Sequence, residues 1–217
     1  MINNINSTLS LRRLATIVAV SILTLTLISA LSGALLAFNY QPTAGGAYKS
    51  LEMITSEIPF GWIIRDLHNY AGNSIIILGL IQIVIMFLSR QFRSSWLIAW
   101  ISGIFLVLVA IGLGWTAMIL DWSQEGFWRF SIELSTVETI PFIGSLLRYI
   151  LTGGNGISTM TVLRQYSLHS YFLPIPAIAL AFTHLGGLIW QSAQDNKNQL
   201  DNNEQQETEK GFNASVS

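Results

Sequence analysis

Three histidines hold most of the chemistry available to this chain. His169 and His184 lie in the apolar stretch 165–190, which has no formal charge, and His68 opens a second such stretch. At a rise of ~1.5 Å per residue, the step from His169 to His184 separates two imidazoles by ~22 Å along a helix. At ~100° per residue the same step leaves both rings on roughly one side. An imidazole inside an apolar span is costly unless it ligates or is hydrogen-bonded, so it marks a functional site. His68 is the natural partner for one of them, and two facing helices with histidines at matched depth can clamp a haem iron.

The elements that must position these rings follow from composition. Hydrophobic residues make up 51% of the chain and charged residues 11%, and the mean hydropathy is +0.51, far from a soluble globular average. A net charge of -1 gives no basic field for nucleic acid. The absence of cysteine excludes disulfides, thiolate metal sites, iron–sulfur ligation and thioether-linked haem.

Four uncharged runs, 14–38, 67–88, 96–120 and 165–190, are long enough to cross a bilayer. The first has the arginine pair and small residues of a signal peptide, but signal h-regions are only ~7–15 residues long. It is therefore read as a membrane helix. Residues 39–60 read as a loop punctuated by Pro42, Gly45, Gly46 and Pro59. The connection 121–164 is too long for a plain loop, and Ile143, Leu146, Leu147, Ile150 and Leu151 predict a short amphipathic helix lying at the interface. Beyond Trp190 the chain turns Asn-, Gln- and Glu-rich.

The expected architecture is all-α and integral to the membrane: a four-helix haem-binding bundle with a long extracytoplasmic connection between the third and fourth spans. It divides into an N-terminal segment 1–13, a membrane domain 14–191 and a disordered polar tail 192–217. Arg12, Arg13, Arg90 and Arg93 flank the spans on the side of the termini, so the positive-inside rule places both termini in the cytoplasm.

Two longer motifs, Gly61-Trp62-Ile63-Ile64-Arg65-Asp66-Leu67-His68 and Arg164-Gln165-Tyr166-Ser167-Leu168-His169, resemble the haem-binding segments of cytochrome b from quinol-oxidising bc and bf complexes. Ile140-Pro141-Phe142-Ile143-Gly144 extends the likeness. The length resembles the short, split bf form, whose later helices lie on a companion subunit. The resemblance implies a multi-pass protein of a bacterial inner or thylakoid membrane that binds haem b. Its implied partners are lipid, a quinol, an iron–sulfur protein and, as the family is usually dimeric, a second copy. It also implies that His68 and His169 ligate the outer haem. Arg65 and Arg164 would lie near its propionates, and Gly33 and Gly114 where the macrocycle rests on the first and third helices.

At the inner face the pattern departs from the family. The second ligand expected on the second helix falls at Gln82, so His184 has no imidazole partner. Ala19 and Val107 stand at the matching small positions, Ile85 and Ile189 where basic residues belong, and Asp121 where proline is usual. The cysteine that tethers an extra haem in bf relatives is absent. These substitutions predict one haem b in place of the family's two, with His184 and Gln82 as the remnant of the second site; a second, five-coordinate haem on His184 is the alternative. The expected function is an electron-transfer subunit of a quinol-oxidising complex, incomplete alone because catalytic acids of the quinol pocket belong to later helices. A non-redox or assembly subunit with a structural haem is the alternative. A histidine-dependent transporter is a poorer reading, since no intramembrane carboxylate completes an ion path.

Overall fold

The computed structural model describes residues 2–89 and 96–216, with side chains at 10–89, 96–206 and 208; Arg90 and Arg93, used above for orientation, lie outside the described residues. The described residues are helical, without strands. α1 (Ile2–Ala37), α3 (Gly61–Leu88), α4 (Leu97–Leu120) and the fourth span are long and apolar enough to cross a membrane. The fourth is composite: α7 (Thr159–Ser167), a π-helical turn Leu168–Phe172, and α8 (Pro174–Val216). Two short helices, α5 (Gln124–Glu138) and α6 (Gly144–Thr152), fill the long connection, and α2 (Ala47–Ser56) fills the first loop.

α1 packs against α3 and α8, and α4 against the same two, so α3 and α8 stand at opposite corners of a square. The long connection and the two termini lie at opposite ends of this bundle, named outer and inner after the topology expected from sequence. The core between the helices includes Ala15, Ala19, Ala99, Ala110, Ala177 and Ala181, with Ile22, Met86, Trp96 and Leu188 among them. Lipid tails are as apolar as leucine, so close dispersion contact, which small residues permit, holds such helices together.

Three features of the spans depart from the sequence reading. α3 begins at Gly61, six residues before the run expected from Leu67. Its first turn meets α2 so closely that a Cβ on Gly61 would overlap the Ile54 carbonyl oxygen, and Phe60 turns the corner at φ 62°. The π-helical turn around His169 comes from Pro174, which has no N–H; Leu173 N–H reaches back five residues to the Leu168 carbonyl at 2.9 Å. The polar stretch expected to be disordered instead continues α8 to Val216. A helix already nucleated in the membrane extends without a new nucleation cost, Gln, Glu and Lys are good helix formers, and Arg12 ties Asp195 at 3.0 Å.

In the connection, Ser123 caps α5 by accepting from Gly126 N–H at 3.2 Å, and Gly153 (φ 79°) ends α6. α6 matches the short helix expected from its apolar spacing; α5 was not anticipated. It docks through Phe130 and Leu134, which are buried beside Trp115 and Ile119.

The Gly61 corner gives a stability test. Gly61→Ala should force α2 and α3 apart at the cost of an overpacked site, ~1–3 kcal/mol, read as a lower melting temperature of the purified protein.

Candidate functional site

Each histidine is oriented by a backbone carbonyl of a neighbouring helix. His68 on α3 donates through Nδ1 to the Ser29 carbonyl of α1 at 2.9 Å, with the Ser32 hydroxyl 3.4 Å away. His169, in the π-helical turn, donates through Nδ1 to the Leu113 carbonyl of α4 at 3.1 Å, with the Thr116 hydroxyl at 2.9 Å. A carbonyl only accepts, so these bonds place the proton on Nδ1. Nε2 is left deprotonated, the form that binds a metal.

The two rings lie 6.0 Å apart, centroid to centroid, at 72° to each other. A metal held by one nitrogen of each ring, with bonds of ~2 Å, separates the centroids by about this distance. Among the described residues no group of three or more His, Cys, Asp or Glu could hold a metal ion. A metal at this pair would have to bring its own remaining ligands, as haem iron does. The residues present fit such a group.

Gly33 lies where the sequence places it, against the site, but its neighbour is the His68 ring: a Cβ there would sit 2.8 Å from Cε1. Gly114 instead meets α3, with Ile76 Cδ1 3.2 Å from the position of a Cβ. The two arginines are already engaged with the protein. Arg65 bridges Thr55 Oγ1 at 3.0 Å and Asp121 Oδ1 at 2.8 Å. Arg164 donates to the Ile150 carbonyl at 2.6 Å, in the last turn of α6. Tyr40 roofs this end, donating to the Leu120 carbonyl at 2.8 Å and stacking on Tyr166 at 5.4 Å. Burial, then Tyr166 and Asp121 nearby, pushes its phenol above the usual range.

At the inner site His184 is 1% exposed and donates through Nδ1 to the Ala99 carbonyl at 2.8 Å. Gly103, four residues on, repeats the relation of Gly33 to Ser29; its Cβ would lie 2.8 Å from His184 Cε1. The Nε2 of His184 does not remain free. Gln82 donates its amide Nε2–H to it at 3.1 Å, and Gln82 Oε1 is buried without a partner among the described residues. Val107 Cγ2 sits 2.7 Å from where a Cβ of Gly79 would be, and Ala19 is 2% exposed within the core. The cavity lined by Gln82, His184, Gly79, Val107 and Trp100 measures about 10 Å³, room for about one water.

Of the residues named from sequence, His68 and His169 face each other with Gly33 against the His68 ring, and His184 meets Gln82 at another depth; Arg65 and Arg164 bond elsewhere in the chain, and Gly114 packs on Ile76. Sequence reading missed Ser29, Leu113 and Ala99, which act through backbone oxygens and so leave no side-chain signature. It missed the roles of Thr116 and Gly103 as well, although the four-residue spacing from Ala99 to Gly103 was readable once Ser29 and Gly33 were known.

A family model for cytochrome b/b6/petB matches residues 6–191. Cytochrome b6 of Cyanidium caldarium is 32% identical over 162 residues, 75% of this chain and 75% of that protein. Cytochrome b6 of Mastigocladus laminosus is 33% identical over 152 residues, 70% of this chain and 71% of the relative. Among solved structures, a chain of a hyperthermophilic respiratory Complex III superimposes with a TM-score of 0.70 at 23% identity. The likeness covers 80% of this chain and 47% of the other, so this chain spans about half the length of that one. Four apolar membrane helices, histidines paired across the bundle and a match from residue 6 to residue 191 agree: the chain belongs to the cytochrome b/b6 family of membrane b-type cytochromes.

Proposed function

We propose that this chain holds one haem b between His68 and His169. It would carry electrons within a quinol-oxidising complex, together with a companion subunit bearing further membrane helices and an iron–sulfur protein. The observation that carries the reading is the pair of imidazoles 6.0 Å apart, each fixed by a carbonyl of a different helix. Haem b in such a site supplies a one-electron carrier that cycles between ferric and ferrous iron. The chain's own residues hold both rings in one tautomer, keep them from rotating and exclude water beneath the Tyr40–Tyr166 stack. The long connection, with α5 and α6, would line the quinol pocket at this end.

The inner site is read as closed to a second haem. Gln82 offers an amide where the family offers imidazole, and it occupies the only free nitrogen of His184. An amide oxygen is a weak ligand to ferrous iron beside imidazole nitrogen. Val107 fills the groove beside Gly79, and driving a ring plane in would overpack it. These losses favour a second reading, a haem with a structural role, because one haem leaves a gap of ~21 Å in any path across the membrane, set by fourteen helical residues. Turnover with a quinol in the assembled complex separates the two.

Haem per chain, measured by pyridine haemochrome against protein concentration, should be one, and His68→Ala or His169→Ala should abolish the low-spin spectrum. Two haems per chain, or an unchanged spectrum in either variant, would refute the assignment. Gln82→Leu should leave the haem count at one; it removes the amide donor to His184 and the buried Oε1 together, so the melting temperature should move by less than the ~1–3 kcal/mol of either group alone would shift it. Both termini are read as cytoplasmic. A reporter fused after Ser217 should be active on that side of the membrane, and activity on the opposite side would reverse the orientation.

A further inference from the structure

Arg65 stands one helical turn before His68, and its guanidinium is held on both arms, by Thr55 of α2 and by Asp121 at the end of α4. The Arg65 and Asp121 side chains are 37% and 41% exposed, so a pair of this kind contributes little to folding. Stability therefore does not account for a carboxylate placed there. Its field does more. A lone guanidinium so close to an iron ligand would favour the reduced iron, which carries one positive charge fewer. Asp121 Oδ1 at 2.8 Å cancels most of that charge at any distance larger than the pair itself. Arg164 is turned to the carbonyl end of α6, and Asp66, the next residue on α3, adds a second negative charge.

We propose that Asp121 is a positioning residue that acts through Arg65: it fixes the guanidinium between α2 and α4, neutralises it, and so lowers the reduction potential of the outer haem. The inference rests on the reading that His68 and His169 hold that haem. It concerns charge, and this separates it from a purely architectural role for the bridge. Losing the Thr55 bond removes an anchor and no charge; losing the Asp121 carboxylate removes both.

The test is a redox titration of the reduced alpha band in membranes containing the full chain and its companions, with haem content measured in parallel. A unit charge about 10 Å from a redox centre, at an effective dielectric of ~20, shifts a one-electron equilibrium by about tenfold. Asp121→Asn should keep its haem and raise the reduced-to-oxidised ratio at fixed ambient potential by about threefold to tenfold, tenfold being 59 mV for one electron. Asp121→Glu and Thr55→Val should titrate with the unmodified protein. An unshifted or lower potential in Asp121→Asn, loss of its haem, or an equal shift in Thr55→Val overturns the inference. A low-spin haem that survives His68→Ala would instead remove the ligand assignment beneath it.

Discussion

A backbone carbonyl accepting a hydrogen bond from an imidazole Nδ1 is the contact on which this structure depends. Within a helix the carbonyl of residue i already receives the N–H of residue i+4, and its second lone pair is usually shielded by the side chain there. Where that residue is Gly33 or Gly103, the shield is missing and an imidazole from the next helix reaches the Ser29 or Ala99 oxygen. The glycine, the carbonyl and the ring form one unit. It fixes the tautomer, sets the distance between two helices and points Nε2 into the bundle. His169 reaches the same end differently, on the Leu113 carbonyl with the Thr116 hydroxyl as a second acceptor.

The rest of the fold follows from a shortage of water. Within hydrocarbon, unpaired polar groups are expensive, and the hydroxyls of the spans bond back to their own helices, as Thr26 does to Ile22 and Ser102 to Ile98. At the outer end the connection is fastened by side chains that reach backbone oxygens. Thr161 bonds the Thr152 carbonyl at 2.8 Å, Gln165 that of Leu151 at 3.3 Å, and Tyr40 that of Leu120 at 2.8 Å. Trp115 of α4 donates to Glu133 of α5 at 2.6 Å, which joins roof to bundle. These bonds give the roof a fixed place over the His68–His169 pair while the apolar outer faces of the spans stay open to lipid or to other chains.

Legibility from sequence tracked the length over which each physical signal acts. Twenty or more uncharged residues can do little but cross a membrane, so the four spans were readable, and the spacing of Ile143, Leu147 and Ile150 was enough for α6. The helix α5 was hidden because its buried contacts, Phe130 and Leu134, are few and are mixed with the exposed Trp128 and Ile132. The uncharged run begins only at Leu67 because Arg65 and Asp66 are charged, whereas α3 starts at Gly61 and carries Arg65 to Asp121 and Thr55. The tail was read as disordered from its polarity, which does not register helix inherited from a preceding span. At the site, side-chain ligands were visible and backbone acceptors were not. Arg65 and Arg164 were recognised as important, yet their in-chain partners lie 56 and 14 residues away along the chain and only folding reveals them.

His68 at one end of the bundle and His184 at the other are held by the same device and differ in what faces Nε2. His184 keeps its carbonyl, its glycine and its depth, everything an axial ligand needs on its own side. What differs is opposite it: Gln82 presents an N–H to the nitrogen that would bind iron. That bond satisfies His184 and leaves Gln82 Oε1 unpaired among the described residues, in a space of about 10 Å³. A buried amide oxygen without a partner costs ~1–3 kcal/mol, so the amide is not the best-packed answer for an apolar core. A leucine would serve a purely structural core better. The polar pair at this depth is accounted for by His184 instead. The imidazole, once held by the Ala99 carbonyl, requires a donor on its far side, and the glutamine supplies one.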